Sequence, residues 1–271
     1  MALGYSMVYG VIKLINFAHG DIIMVGAYCT WYMMSRFGVP ALFAALFSVF
    51  FCASLGVLIE KIAYKPLRKY GRLSLLVTAI GVSLFLQNVV QLIFKADPRM
   101  FTNFFKGAIT IGGRQFSTAT PATIIISVII MTALTLLVKY TSMGRAMRAV
   151  SEDDETAQLM GVNVSSTISF TFAVGSGLAA IGSVFYCCSY SQIQPTMGSM
   201  LGLKAFVAAV LGGIGSIPGA MLGGLCIGVG ESVTRGFVSS KMTDAVVFGV
   251  LIAVLLIKPS GILGRGSGEK V

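Results

Sequence analysis

Long apolar runs separated by short polar stretches form the main pattern of the chain. A membrane-spanning helix needs about 20 mostly apolar residues. Runs close to that length occupy 39–60, 74–94, 121–138, 167–190 and 242–257. The pattern therefore predicts five transmembrane helices, and we expect an all-α, polytopic transmembrane helical bundle.

Two further regions, 2–36 and 202–235, are apolar but interrupted by polar or glycine-rich sequence. Each can hold two short or half helices, and we expect about eight membrane segments in all, including broken or half helices. Non-helical backbone at membrane depth must be buried in protein or line a watery cavity, and such breaks often mark the substrate path of a transporter. A tight turn outside the membrane between two ordinary helices is the alternative for the second break.

The residues at the two breaks are candidates for a translocation pathway. At the first break, polar side chains can either satisfy freed backbone groups or contact a zwitterionic substrate. At the second break, glycine permits close backbone approach. The candidate pathway residues are Asn16, His19, Asp21, Gly212, Gly213 and Gly215.

Elsewhere in the apolar regions, Glu231 is expected to pair with Arg235 four positions later, and Asp244 is expected to lie at the membrane boundary.

Composition supports a membrane location and excludes several other classes. Of the 271 residues, 56% are hydrophobic and 11% are charged, whereas soluble domains carry about 25% charged residues. The formal charge is +10, but the basic residues lie between apolar runs, which argues against nucleic-acid binding. The sequence contains no evident catalytic triad, metal-ligand cluster or G-x-x-x-x-G-K-[ST] loop. We therefore expect a protein that is not an enzyme and needs no cofactor.

The distribution of lysine and arginine predicts which loops face the cytoplasm. Segment 61–73 carries five basic residues and no acidic residue, and two spans later segment 139–166 lies on the same side. Segment 95–120 on the opposite side has β-prone stretches around Gly112 and Gly113, which predict a small external hairpin. Residues 1–271 are thus expected to form one transmembrane domain. It has a cytoplasmic loop at about 140–166 and an external loop at about 95–120.

The polar segment at about 140–166 carries helix-start and helix-stop signals. Ser151 followed by Asp154 resembles a capping box, and acidic residues crowd the first turn, where the helix dipole favours them. Gly161 can end the helix in a left-handed conformation. The sequence predicts a short amphipathic helix between Glu152 and Gly161, with a solvated loop as the alternative.

Ala157, Leu159 and Met160 are expected to form one turn of a docking face on this helix. The stretch from Glu155 to Gly161 reads E-T-A-Q-L-M-G. It resembles the E-A-A-x-x-x-G coupling loop by which permeases of ATP-binding-cassette importers dock their ATPases, although the later I-x-L-P part is absent. The candidate residues for coupling to an ATPase are Arg145, Arg148, Glu152, Glu155, Ala157 and Gly161.

Two longer stretches carry a more specific resemblance. Residues 15–28 read I-N-F-A-H-G-D-I-I-M-V-G-A-Y, and residues 208–220 read A-A-V-L-G-G-I-G-S-I-P-G-A. Both resemble signature segments of the permease subunits of branched-chain amino acid importers. The resemblance continues through 64–68 and 259–264, covers essentially the whole chain, and is strongest to the first of the two permeases. That family usually has a further stretch before the position of Met1, so an incomplete first segment is expected.

The resemblance implies a multi-pass protein of the bacterial plasma (inner) membrane that imports branched-chain or related amino acids by alternating access. The implied partners are a second permease subunit, two cytoplasmic ATP-binding-cassette ATPases, an external or periplasmic amino-acid-binding protein and membrane lipid, without nucleic acid. ATP hydrolysis would then take place in the partner subunits.

Other functions remain open on the sequence. Relatives with the same signatures handle urea, short amides and other amino acids. Broken segments alone also permit a channel or secondary carrier that works without an ATPase, although the coupling-loop pattern argues against it. A non-transporting scaffold would not need two glycine-rich breaks.

Overall fold

The computed structural model describes residues 1–13, 16–101, 107–111, 114–258 and 260–264, and most of them are helical. The described helices are α1 (Ala2–Ile12), α2 (Ala18–Phe37), α3 (Ala41–Ile59), α4 (Lys65–Leu67), α5 (Arg72–Phe94), α6 (Ala119–Tyr140), α7 (Ser142–Glu152), α8 (Asp154–Leu159), α9 (Val164–Tyr190), α10 (Met197–Gly212), α11 (Ile217–Phe237) and α12 (Thr243–Ile257). The described strands are β1 (Arg99–Met100), β2 (Ala108–Ile111), β3 (Arg114–Ser117) and β4 (Gln192–Ile193).

Helices long and apolar enough to cross a membrane account for much of the described chain. They are the six runs Ala41–Leu67, Leu73–Phe94, Ala119–Tyr140, Val164–Tyr190, Ile217–Phe237 and Ser240–Ile257. Five of them coincide with the apolar runs of the sequence, and Ile217–Phe237 is the second half of the interrupted region 202–235. Helices α1 and α10 are apolar but shorter. The prediction of an all-α polytopic bundle is confirmed.

Helices α9 and α2 lie at the centre of the bundle. In the most hydrophobic part of α9, 56% of the residues are buried, against 6% in α6, so α9 is surrounded by protein while α6 is peripheral. The first ten residues of α2 are buried as well. Small residues allow this packing. A Cβ added to Gly26 would lie 3.0 Å from the Ala180 Cα, and one added to Gly56 would lie 2.9 Å from the Phe172 oxygen.

Helix α3 continues into a π-helical turn at Glu60–Tyr64. The Glu60 side chain is fully buried there; it pairs with Arg68 and accepts a hydrogen bond from the Ser169 hydroxyl at 2.5 Å. A buried carboxylate needs such partners because desolvation of an unpaired charge is costly. This contact ties α3 to α9, and the sequence analysis did not predict it.

Two short antiparallel strand pairs lie outside the helices. Strands β2 and β3 pair with Ala108 opposite Ser117 and Ile111 opposite Arg114, which confirms the predicted hairpin; its glycine pair 112–113 lies outside the described residues. The pairing of β1 with β4 was not predicted, because two-residue strands leave no periodicity in the sequence.

Candidate coupling and translocation site

The segment at about 140–166 forms two helices, α7 and α8, where the sequence predicted one. Helix α7 is amphipathic: Gly144, Met147 and Val150, three positions apart, are buried against the bundle. Thr141 caps its start, since its hydroxyl oxygen accepts a hydrogen bond from the Gly144 N–H at 3.0 Å. The bundle end that carries these two helices is called the α7 end below.

The predicted N-cap at Ser151 is wrong, because Ser151 lies inside the last turn of α7. Its hydroxyl donates to the Arg148 carbonyl at 2.7 Å. The cap of α8 is Asp153, whose backbone is extended. Its Oδ1 accepts from the N–H groups of Glu155 at 3.0 Å and Thr156 at 3.2 Å, and its Oδ2 accepts from the Thr156 hydroxyl at 2.7 Å.

The physical reason is that one carboxylate serves several donors of the first turn, whereas a serine hydroxyl serves fewer. The hydrogen bonds from the Thr156 side chain and backbone lower the pKa of Asp153. Glu152 consequently ends α7 and does not begin α8.

The predicted left-handed end of α8 at Gly161 is confirmed, with φ of +85°. The Gly161 N–H donates to the Gln158 carbonyl at 3.0 Å, and the Val162 N–H donates to the Ala157 carbonyl at 3.0 Å. This pattern is a Schellman motif, and its left-handed residue favours glycine. The end of α8 is therefore fixed by its own backbone.

The exposed apolar surface of α8 is smaller than the sequence suggested. Leu159 and Met160 are 87% and 81% exposed, but Ala157 is 4% exposed and packs against the bundle. Ala157 is thus not part of an accessible docking face in this structure. The side chains of Glu152 and Glu155 are exposed, so acidic and apolar groups lie side by side on this helix pair.

Arg145 and Arg148 are exposed and hold α7 against the end of α6. The Arg148 guanidinium donates to the carbonyls of Val138 and, at 3.3 Å, of Lys139. Arg145 donates to the Tyr140 carbonyl at 3.4 Å. Cationic groups at the C-terminus of a helix satisfy its last carbonyls and its dipole, so both arginines already have a structural role.

The first break, between α1 and α2, lies at the α7 end. The Lys13 ammonium donates to the Glu152 carbonyl at 3.5 Å, and the Asn16 Oδ1 accepts from the Tyr64 hydroxyl at 2.7 Å. Residues 14–15 lie outside the described residues. The break is therefore connected both to α7 and to the π-helical turn of α3.

The three polar candidates of the first break point in different directions. Asn16 contacts the turn of α3, while His19 is buried edge-on against the Tyr5 ring, with ring centroids 5.5 Å apart. Asp21 instead accepts from the Gln87 amide of α5 at 2.9 Å. The structure does not bring these candidates together in one site.

The second break is a tight turn between α10 and α11. Gly213 and Gly215 have φ of +105° and +85°, conformations that L-residues with a Cβ rarely adopt. A Cβ on Gly212 would lie 1.9 Å from the Gly219 oxygen, and the Ser216 hydroxyl caps α11 by accepting from the Gly219 N–H at 3.2 Å. The break is thus a tight turn between two helices, as the alternative had it; its position outside the membrane stays a prediction.

This glycine turn also lies at the α7 end, where it contacts α1 and faces α7 across a cavity. The Gly215 N–H donates to the Ser6 hydroxyl of α1 at 3.1 Å. A cavity of about 90 Å³ is lined by α1, α7 and the turn, including Gly10, Met147, Arg148 and Gly215. One coupling candidate, Arg148, and one candidate of the second break, Gly215, therefore line the same cavity.

An ion-pair cluster joins α10, α11 and α12. The Lys204 ammonium lies 2.8 Å from a carboxylate oxygen of Glu231 and 2.8 Å from one of Asp244. The predicted pair of Glu231 with Arg235 is also present, at the longer distance of 3.9 Å. Sequence reasoning missed Lys204, although a lysine inside an apolar helix is itself a signal that an acidic partner lies nearby.

Comparisons with known proteins extend over nearly the whole chain. The family model described as "Branched-chain amino acid transport system / permease component" matches residues 1–255. The chain is 42% identical to the high-affinity branched-chain amino acid transport system permease protein LivH of Escherichia coli, over 100% of this chain and 92% of that relative. It is 43% identical, with the same coverage, to the corresponding permease protein BraD of Pseudomonas aeruginosa.

A more distant relative comes from an archaeon. The probable branched-chain amino acid transport permease protein of Methanocaldococcus jannaschii is 28% identical over 97% of this chain and 87% of that relative. No solved structure matches the chain.

Proposed function

The chain belongs to the family of permease components of branched-chain amino acid transport systems, and from this premise we propose that it forms the membrane pathway of an ATP-driven importer. Its cargo is a branched-chain amino acid, as the names of its relatives indicate. The observation that carries the proposal is the cavity shared by α1, α7 and the glycine turn. This cavity supports the proposal because it lies between α7, which carries coupling candidates, and the glycine turn that interrupts the apolar region 202–235.

The proposed orientation puts the α7 end in the cytoplasm. The basic segment 61–73 supports this orientation through the positive-inside rule. Arg68 in that segment pairs with Glu60 at the end of α3, and Lys13 at the first break contacts α7. The hairpin of β2 and β3 then lies in the external loop at about 95–120.

Helices α7 and α8 are proposed to dock a cytoplasmic ATPase. Leu159 and Met160 offer an apolar anchor of the kind that dominates many interfaces, and Glu152 and Glu155 beside them offer charge complementarity to a basic rim. The other four coupling candidates support this surface indirectly, because they fix the positions and ends of the two helices: Arg145, Arg148, Ala157 and Gly161.

Movement of the docked ATPase would reach the pathway through rigid contacts. Helix α7 borders the cavity with Met147 and Arg148, and the glycine turn closes the same cavity with Gly215. Displacement of α7 would reach the end of α10 through α1, which contacts α7 and whose Ser6 hydroxyl accepts from the Gly215 N–H. We infer that α10 and the first break move together as access to the pathway alternates between the two sides of the membrane.

The proposed assembly contains a second permease subunit, two cytoplasmic ATP-binding-cassette ATPases and an external amino-acid-binding protein. The exposed apolar side chains of the membrane spans provide surface for lipid and for the second permease. The chain itself provides the pathway candidates Asn16, His19, Asp21, Gly212, Gly213 and Gly215.

Co-purification with the ATPase tests this proposal. Leu159→Ala removes most of the exposed side chain and should weaken the complex about tenfold to a hundredfold, if the interface buries this leucine. Gln158→Ala is the matched control, because it makes the same truncation on the same exposed helix without removing an apolar anchor. Equal retention of the ATPase by both variants and by the wild type would contradict the docking role of α8.

A further inference from the structure

Helix α5 carries a polar stripe on an otherwise apolar membrane span. Ser83, Gln87 and Gln91 recur every fourth position and so lie on one helix face. The remaining surface exposes large apolar side chains such as Phe85 and Leu92, which are 66% and 85% exposed. Polar groups in a membrane span usually face the protein interior or a watery path, so this face of α5 differs in function from its lipid face.

The middle residue of this stripe, Gln87, contacts the buried side chain of Asp21. The Gln87 amide nitrogen donates to the Asp21 Oδ1 at 2.9 Å and to the Ser199 hydroxyl of α10 at 2.8 Å. Gln87 is half-buried and Ser199 is exposed, whereas Asp21 is fully buried. A continuous polar contact therefore connects the surface of α5 and α10 with a carboxylate inside the bundle.

The second oxygen of this carboxylate lacks a protein partner. Among the residues that the structure describes, the Asp21 Oδ2 accepts no hydrogen bond, although it is buried. Within the same residues, the ion pairs involve Glu60, Glu231 and Asp244 but not Asp21. Asp21 lies in the first turn of α2. A buried carboxyl group with an unpartnered oxygen can accept a hydrogen bond from an ammonium group.

Close backbone packing fixes the position of this group. A Cβ added to Gly20 would lie 2.3 Å from the Gly198 oxygen, and one added to Gly202 would lie 2.8 Å from the Gly20 Cα. Helices α2 and α10 therefore touch directly beside Asp21 and Ser199. Helix α10 is Met197–Gly212, so about 16–23 Å of helix separates Gly202 and Gly198 from the glycine turn at its other end.

We propose that Asp21, Gln87 and Ser199 form the subsite that binds the ammonium group of the transported amino acid. This inference rests on the proposed transport function. An ammonium group has three donors. The Asp21 Oδ2 accepts one of them as a charged partner, and the Ser199 hydroxyl oxygen accepts a second.

The test measures L-leucine uptake by the complete reconstituted transporter with the variant Asp21→Asn, which keeps the size and removes the charge. The KM should rise about tenfold to a hundredfold, as expected for loss of a charged hydrogen bond. Asp244→Asn is the matched control, since it neutralises a carboxylate that pairs with Lys204, and its KM should equal the wild-type value.

Ser199→Ala provides a second probe at an exposed position, in case Asp21→Asn fails to insert. Its KM should rise about twofold to tenfold, as for a neutral hydrogen bond. An unchanged KM in an inserted Asp21→Asn or in Ser199→Ala overturns the subsite, as does a parallel loss of uptake and ATP hydrolysis without a change in KM. A wild-type complex that does not take up leucine contradicts the proposed function instead.

Discussion

Replacement of Gly213 by alanine tests the physical basis of the glycine turn. The backbone of Gly213 has φ of +105°, and a left-handed conformation costs an L-residue about 1–2 kcal/mol. A Cβ at this position would also lie 2.3 Å from the Gly264 nitrogen and 2.7 Å from its Cα. Because backbone cannot rotate away, we add about 1–3 kcal/mol for overpacking. The sum is about 2–5 kcal/mol.

Two further variants separate the two contributions. Gly215→Ala carries the left-handed strain, but its Cβ would lie 3.5 Å from the nearest atom, the Gly10 Cα, so it should cost only about 1–2 kcal/mol. Gly228→Ala in the middle of α11 has no neighbour within 4 Å and an ordinary helical backbone. It should be neutral or stabilising by up to about 1 kcal/mol.

The assay is unfolding of the detergent-solubilised protein, with membrane insertion checked by carbonate extraction. The order of stability should be Gly228→Ala, wild type, Gly215→Ala and Gly213→Ala, from highest to lowest. Uptake should fall in the same order while insertion is retained, and Gly213→Leu should damage transport more than insertion. If Gly213→Ala is as stable against unfolding as Gly228→Ala, the glycine turn is not constrained as described.

Further predictions concern the helices of the α7 end. Gly161→Asp should disrupt the Schellman turn, so that ATPase association and uptake fall together in a protein that still inserts; unchanged association and uptake would contradict the coupling role. Single cysteines at Lys69 and Asp154 should resist a membrane-impermeant reagent added to intact cells, and efficient labelling would reverse the proposed orientation. Because the folded-state pKa of Asp153 is lowered, its cap contributes stability above the ordinary carboxyl pKa and loses it as the pH falls through the lowered value. Amide exchange in α8 should therefore accelerate only in acid, and Asp153→Asn, which caps without titrating, should lack this acceleration. Gly144→Ala should separate α7 from α6, since its Cβ would lie 2.3 Å from the Leu137 oxygen; normal thermal stability of this variant would count against the packing of α7.

The membrane spans could be predicted from the sequence because their signal is local. An apolar run such as 167–190 must be a helix in lipid whatever surrounds it, and the structure has Val164–Tyr190 there. The end of α8 could also be predicted from local sequence, because a glycine such as Gly161 favours the left-handed backbone that ends a helix. Such features depend on a few consecutive residues.

Side-chain partners were harder to predict because they depend on packing between distant parts of the chain. Asp21 and Gln87 are 66 positions apart, and Lys204 and Asp244 belong to different helices. The cap of α8 was misplaced by two residues, since the continuation of α7 through Ser151 depends on its packing against α6. The burial of Ala157 likewise depends on the packing of α8 against the bundle, including α9.

ATP dependence of uptake tests the central claim most directly. Proteoliposomes should contain the wild-type chain with its second permease, the two ATPases and the external binding protein, and labelled L-leucine should be supplied on the side of that protein. We predict accumulation against a gradient only when ATP and active ATPases are present on the α7 side. Equal uptake without ATP, or with ATPases that cannot hydrolyse it, would contradict the account and identify a channel or carrier that works alone.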